Sequence, residues 1–310
     1  MKRTIVLGFL LAIFSAPVAA WNAPIHMAIV EVALEQLTPR QAREINNVAY
    51  DLVAEFDQER RLYLMRQFEG TSWLAQLSIV PDLDRDILLD DLFHQYDLEV
   101  PEPLAAERAR DTSHWHYINR ALSTEVLIAQ CEFNNGLNLV SVLPLLMESY
   151  GAASSDKARA LMLSFIVHLV ADAHQPMHNL TREFVDPTQP GSGCSHDAGG
   201  NDYCVSRRSG IQRCGVNLHQ FWDGAARLFD DLEMVDEIAA RISLASGGVE
   251  MEADLDPQTW SDESFSFGHY VYATTEDRSP DSSYVNESQA ISAERLHLAA
   301  MRLSRILQSL

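Results

Sequence analysis

The stretch HLVADAHQPMH, residues 168–178, constrains this chain more than any other. His168 and Asp172 are four apart, so a helix stacks them on one face, close enough to grip a single ion together. The run before them, 157–167, is apolar at helical spacing and predicts a buried helix. Pro176 lacks the N–H that would extend the helix, so it bends or ends it and sets His178 in a new direction. One such pair reads equally well as a buried histidine hydrogen-bonded to an acid. The spacing recurs at His219 and Asp223 in NLHQFWD, again among bulky apolar neighbours. Two pairs and His178 together favour metal, and neutral imidazole with carboxylate is a donor set that suits zinc.

The first twenty residues belong to a different kind of segment. Lys2 and Arg3 precede a short apolar core at 5–14, and Val18-Ala19-Ala20 supplies small residues for cleavage. This pattern predicts a signal peptide over 1–20, too short and wrongly flanked for a membrane anchor. The mature chain is then expected to begin at Trp21 and to lie in the periplasm or outside the cell, as a monomer without a membrane anchor. Its residues, 21–310, are within reach of one domain.

Charge narrows the partners. Removing Lys2 and Arg3 from the 23 basic residues leaves 21 against 44 acidic ones, a formal charge of −23. That balance argues against a surface gripping duplex DNA through many phosphates. It leaves open a nucleic-acid substrate bound at a metal centre, because bound ions can reverse the local sign. Four cysteines, Cys131, Cys194, Cys204 and Cys214, have no CxxC spacing, so disulfides are the expected use in an exported chain. Three pairings are possible, and the cluster from 194 to 214 suggests at least one bridge within a loop.

Periodicity predicts helices over 24–37, from Thr38-Pro39 to 53, and over 58–76 and 137–150. Thr38 reads as an N-cap with proline in the first turn. Further helices are expected near 217–232, 234–246, 256–274 and 288–310. Residues 90–110, acidic and proline-bearing, read as loop, and 186–215 as a long loop stapled by disulfide. Asn134-Asn135-Gly136 reads as a turn. No β-alternation or repeat stands out, so the expected class is all-α, a multi-helix bundle-like domain. In His114-Trp115-His116 the two imidazoles diverge on a helix, so at most one is expected to ligate.

Collected, the candidates are Trp21, His26, Asp82, His116, His168, Asp172, His178, His219 and Asp223. The chain resembles the S1/P1 nuclease family, secreted zinc-dependent nucleases and 3′-nucleotidases. The resemblance rests on W-x-x-x-x-H at 21–26, Asp82 with Arg85, WHYIN at 115–119 and HLVAD at 168–172. QPMH at 175–178, GGN at 199–201 and NLHQFWD at 217–223 complete it. It implies three zinc ions. Asp82, His116, His168 and Asp172 would hold one. Trp21, through its own α-amino nitrogen and carbonyl oxygen, would hold a second with His26 and a bridging Asp172. His178, His219 and Asp223 would hold the third, leaving positions open for water or phosphate.

An α-amino group has an ordinary pKa of about 8, so it can ligate near neutrality once the signal peptide is removed. The implied activity is hydrolysis of single-stranded RNA and DNA to 5′-phosphate products, with removal of 3′-phosphates from nucleotides. Asp82 would orient activated water, and Arg85 would neutralise charge on the phosphoryl group. Tyr117 matches a base-stacking position, though it reads as readily as a core tyrosine. Val80 stands where relatives often have tryptophan, and the connection from Gly199 to His219 is longer than usual. His114 and His174 are expected to support ligands or lie at the surface. His94, His196, His269 and His297 read as exposed or core. Asn179 and Asn286 begin formal glycosylation sequons. Two rival readings are a zinc-dependent phospholipase C, which shares the scaffold, and a non-enzymatic exported zinc-binding protein.

Overall fold

The side chain of Asn22 accepts from the N–H of Ile25 and starts the first helix, with Pro24 in its opening turn. The computed structural model describes residues 21–123, 136–184, 195–207, 214–245 and 254–310. In chain order its helices are α1 (Ala23–Glu35), α2 (Pro39–Val53), α3 (Gln58–Gln67), α4 (Trp73–Leu77), α5 (Val80–Asp84) and α6 (Leu89–His94). Then come α7 (Leu139–Ala152), α8 (Asp156–Ala173), α9 (Leu218–Asp223), α10 (Val235–Leu244), α11 (Pro257–Ser266), α12 (Gly268–Val271) and α13 (Ser282–Ser309). The class is all-α in its main outline, as the periodicity predicts.

The layout follows from α8. Every residue from Ala160 to Ala173 is buried, and this stretch is apolar except at Ser164, His168 and Asp172. Such a helix must be covered all round; α2, α7, α11 and α13 pack directly against it, and α1 touches it. Thr38 caps α2 through a reciprocal capping box with Gln41, as the sequence suggests. A second apolar cluster, including Met177, Leu180, Tyr203, Leu218 and Trp222, lies under the short elements at the site end.

Several boundaries differ from expectation for local reasons. The helix expected over 58–76 ends at Gln67, where Phe68 leaves the helical region; Gly70, with φ of +89°, turns the chain, and Ser72 caps α4 anew. Residues 90–110, read as loop, contain most of α6 and a 3₁₀ turn at Glu102–Glu107. The expected helix over 217–232 stops at Asp223. Ala225, Ala226 and Arg227 follow with φ of 48°, 52° and 68°, a left-handed turn without glycine. The helix over 256–274 divides into α11 and α12. Helix α8 ends at Ala173, ahead of Pro176, and Pro176–His178 form a 3₁₀ turn.

Strands, which the sequence did not announce, are present in two small sheets. In one, β1 (Arg120–Ser123) pairs in parallel with β2 (Leu180–Phe184), and β2 pairs antiparallel with β3 (Ser195–His196). In the other, β4 (Cys204–Arg207) and β5 (Cys214–Asn217) form an antiparallel pair closed by the Cys204–Cys214 disulfide. That bridge is the loop staple expected between 194 and 214. Cys131 and Cys194 lie outside the described residues, as do the signal-peptide segment and most of the 134–136 turn. No helix among the described residues is long and apolar enough to cross a membrane.

Candidate metal centre

Helix geometry delivers the first donors. His168 and Asp172, one turn apart on α8, bring Nε2 and Oδ2 to 3.2 Å. The 3₁₀ turn Ser113–His116 adds His116, whose Nδ1 lies 3.1 Å from Asp172 Oδ2 and 3.0 Å from His168 Nε2. Asp82 on α5 adds Oδ1, 3.7 Å from His168 Nε2 and 3.8 Å from His116 Nδ1. The other oxygen of Asp172, Oδ1, faces His26 Nε2 from α1 at 3.4 Å. Asp172 therefore addresses two donor groups at once, one with each oxygen. A third group forms where His178 Nε2 and His219 Nε2 approach to 3.2 Å, with Asp223 Oδ1 3.8 and 3.6 Å away.

These separations test whether the residues fit an ion. Zinc–ligand bonds of about 2.0–2.1 Å place neighbouring corners of a tetrahedron about 3.3–3.4 Å apart. The donor pairs above, from 3.0 to 3.8 Å, bracket that edge. The proton positions point the same way. His168 Nδ1 donates to the carbonyl of Ser78 at 2.6 Å, His178 Nδ1 to that of His116 at 2.5 Å, and His219 Nδ1 to that of Gly199 at 2.7 Å. Each ring, in its neutral form, then turns an unprotonated Nε2 towards the other donors. Lone pairs and carboxylates that converge in a buried space repel one another unless a cation, proton or metal, lies between them. Among the described residues, His26 Nε2, Asp82 Oδ1, Asp172 Oδ1 and Asp223 Oδ2 are buried without a hydrogen-bond partner. Three His/Asp groups that could hold metal ions result: His26–His168–Asp172, Asp82–His116–His168 and His178–His219–Asp223.

Electrostatics agree with that reading. Burial, reinforced by neighbouring His168, pushes His26 well below its ordinary value, and burial also lowers His116 and His219. These rings stay neutral, the form that ligates. Burial would lower His168 as well, but Asp172 and Asp82 outweigh it and lift it to about 9. The carboxylates thus demand positive charge, which a metal ion would supply in place of protons.

Trp21 is fully buried. Its indole Nε1 donates to the carbonyl of Ala171 at 3.0 Å, and the next N–H, of Asn22, donates to the carbonyl of Asp223 at 3.1 Å. Trp21 and Asn22 are thereby tied, respectively, to the helices that carry Asp172 and Asp223.

Supporting groups explain why the donors hold their positions. His114 pairs with buried Glu107 at 2.7 Å and anchors the turn that presents His116. His174 is buried: Nδ1 donates to the carbonyl of Val170, and Nε2 accepts from Arg302 at 2.8 Å. Gln175 was not singled out from the sequence, although it sits inside QPMH. Its amide donates to Asp223 Oδ1 at 2.6 Å. The GGN loop is built around Asp197, whose Oδ1 accepts from the N–H groups of Arg182 and Gly200 at 3.1 Å each. Gly199 and Gly200 take φ of +63° and +80°, and a Cβ at Gly200 would collide with Met177 Cε. Glycine suits these left-handed positions, in which the carbonyl of Gly199 holds His219.

A cleft of about 540 Å³ opens over the centre, lined by Asp82, Arg85, His116, Tyr117, His178 and His219. Ser113, Asn119, His196, Ala198, Asn201 and Asn217 complete its wall. His196 was expected to be a bystander; the pairing of β3 with β2 carries it to the cleft, and no sequence periodicity signals that. His94 and His269 are exposed, and His297 is half-buried, as expected. Asn179 is fully buried with its amide donating to the carbonyls of Ala173 and Gln175, which removes it as a glycosylation site. Asn286 is exposed on α13.

A mainly helical fold gathering three His/Asp donor groups under one cleft defines a protein suited to multinuclear metal chemistry. The S1/P1 Nuclease family model matches residues 21–310, nearly the whole chain. The chain belongs to that family, which makes it a hydrolase of nucleic-acid phosphoester bonds. Comparison with curated proteins finds none that matches.

Proposed function

We propose that the mature chain is an exported trinuclear-zinc phosphodiesterase. It cleaves single-stranded RNA and DNA to 5′-phosphate products and removes 3′-phosphates from nucleotides. The observation that carries this reading is the convergence of imidazole nitrogens and carboxylates at the edge length of a zinc tetrahedron. One ion is assigned to Asp82, His116, His168 and Asp172, and a second to Trp21, His26 and Asp172. The third is assigned to His178, His219 and Asp223. When bound, the ions would polarise a phosphoryl oxygen and acidify water near neutral pH.

The chain's own residues then do the positioning. Asp82, at the cleft wall, orients the attacking water. Arg85 offsets negative charge on the phosphoryl oxygens, a role suited to a guanidinium. Tyr117, half-buried on the same wall, offers a ring face to a base. Such stacking contributes on the order of 1–3 kcal/mol and tolerates any base. The family match starting at Trp21 and the Cys204–Cys214 bridge support removal of residues 1–20 and an oxidising compartment. The protein acts as a monomer.

The test is a side-by-side assay of the mature protein on single-stranded DNA, single-stranded RNA, a 3′-nucleotide and phosphatidylcholine. Cleavage of the first three, abolished by chelation and restored by zinc, is expected. Lipid turnover without nucleic-acid cleavage would replace this reading with a phospholipase. Retaining one residue before Trp21 is expected to reduce zinc content and activity together.

A further inference from the structure

The cleft is poor in the groups that hold long polyanions. Among the described residues that line it, Arg85 is the sole fixed cation, and its Nε lies 3.8 Å from Asp86, which is 85% exposed. Apart from His196, the rest of the described wall beyond the donor groups carries no titratable base: Ser113, Tyr117, Asn119, Ala198, Asn201 and Asn217. Asp202, next to Asn201, is exposed. Lys157 is the one lysine after residue 20, and it lies about 16 Å along α8 from His168 at the rise of an α-helix.

Several arginines elsewhere are matched to acids. Arg60 pairs with Asp84, Arg120 with Asp262, Arg241 with Asp231, and Arg295 and Arg302 with Glu263. The whole chain carries 44 acidic against 23 basic residues. A polynucleotide is normally held by basic side chains that displace condensed counterions from successive phosphates. Here the metal centre can attract the one phosphate that enters it, whereas flanking phosphates meet, among the described wall residues, a single fixed cation, Arg85.

We infer that this centre favours short substrates, dinucleotides and oligonucleotide ends with few phosphates, and that added salt accelerates its attack on long single strands. This rests on the nuclease reading above. Like charges repel at a distance, and salt shortens the range of that repulsion to about 10 Å at 0.1 M. A long strand presents many phosphates within that range and gains most from screening. A dinucleotide presents one and gains little.

The experiment measures kcat/KM of the zinc-loaded mature protein on a thymidine homopolymer and a thymidine dinucleotide. Salt is raised from about 10 to about 150 mM, a range that shortens the screening length roughly four-fold. The homopolymer forms no duplex for salt to stabilise. The polymer value is expected to rise at least about three-fold while the dinucleotide value stays level or falls. In the double variant Asp86→Asn, Asp202→Asn the polymer slope is expected to flatten. A polymer value that falls steeply with salt, as for a protein with a basic track, overturns the inference, and so does a flat one. Hydrolysis of neither substrate at any salt overturns the nuclease reading beneath it instead.

Discussion

The two halves of the candidate metal centre are built by different means. His26, His168 and Asp172 stand on α1 and α8, helices of 13 and 18 residues, and all three are fully buried. Behind them the end of α8 is clamped by neighbouring helices. Ser264 donates to the carbonyl of Ala173 at 2.8 Å, and Arg302 reaches both His174 and Glu263. The third group stands on a 3₁₀ turn of three residues and a helix of six. What long helices provide on one side, cross-links provide on the other: the Gln175–Asp223 hydrogen bond, the Gly199 carbonyl, the Asn217 cap and the hairpin closed by Cys204–Cys214. Packing makes the first half rigid, whereas individual polar contacts make the second half rigid. The second half should therefore be the easier one to unload.

The largest effect is expected from Asp172→Asn, because both oxygens of Asp172 serve donor groups. Loss of more than about 100-fold in kcat is expected, beyond the 10–100-fold typical of groups that merely support a ligand. Zinc content should fall from three ions towards one. His219→Ala should instead remove one ion and leave the other two, a difference that elemental analysis reads directly. If both variants lost all their zinc, the two halves would not be independent.

Next in size is Gln175→Leu. Without its amide, Asp223 keeps its charge but loses its fixed direction, and third-site affinity is expected to fall about 10-fold or more. Chelator titration should show two tightly held ions unchanged.

A smaller effect concerns acid. Burial would lift the Glu263 carboxyl, but Arg302 and Arg295 outweigh it and hold it below the usual carboxylate range. A depressed carboxyl stabilises the fold above its unfolded pKa of about 4.3 and loses that contribution as pH falls through its folded value. Glu263→Gln should lower Tm near neutrality and narrow its gap to the parent in acid, as thermal scans across pH would show.

The smallest effect should stabilise. Arg227 is exposed with φ of +68°, a conformation glycine adopts without steric cost. Arg227→Gly is expected to add about 1 kcal/mol, raising Tm by roughly 2–4 °C for a chain of this order of size. Retained zinc content would show that the left-handed turn beside Asp223 is relaxed without disturbing the ligand.

The helical half was the more legible in the sequence. The i, i+4 spacing at His168–Asp172 is a direct consequence of helical pitch, and Thr38 and the apolar run into α8 announce their helices locally. His219–Asp223 was legible for the same reason. What surrounds it was not. His196 reaches the cleft through a two-residue strand paired with β2, and Gln175 matters through a contact 48 residues away in the chain. The left-handed turn at Ala225–Arg227 has no glycine to mark it; Gln289 of α13 holds it by donating to the carbonyl of Ala226. Local rules reveal what one helix can arrange, but not what distant segments impose on each other.

The most direct test is anomalous diffraction at the zinc edge from crystals of the mature protein. Three peaks are expected, one in each His/Asp group, with the Trp21 nitrogen in contact with the ion beside His26. Full nuclease activity from a protein with no peak between His178, His219 and Asp223, or with Trp21 remote from every peak, would contradict it.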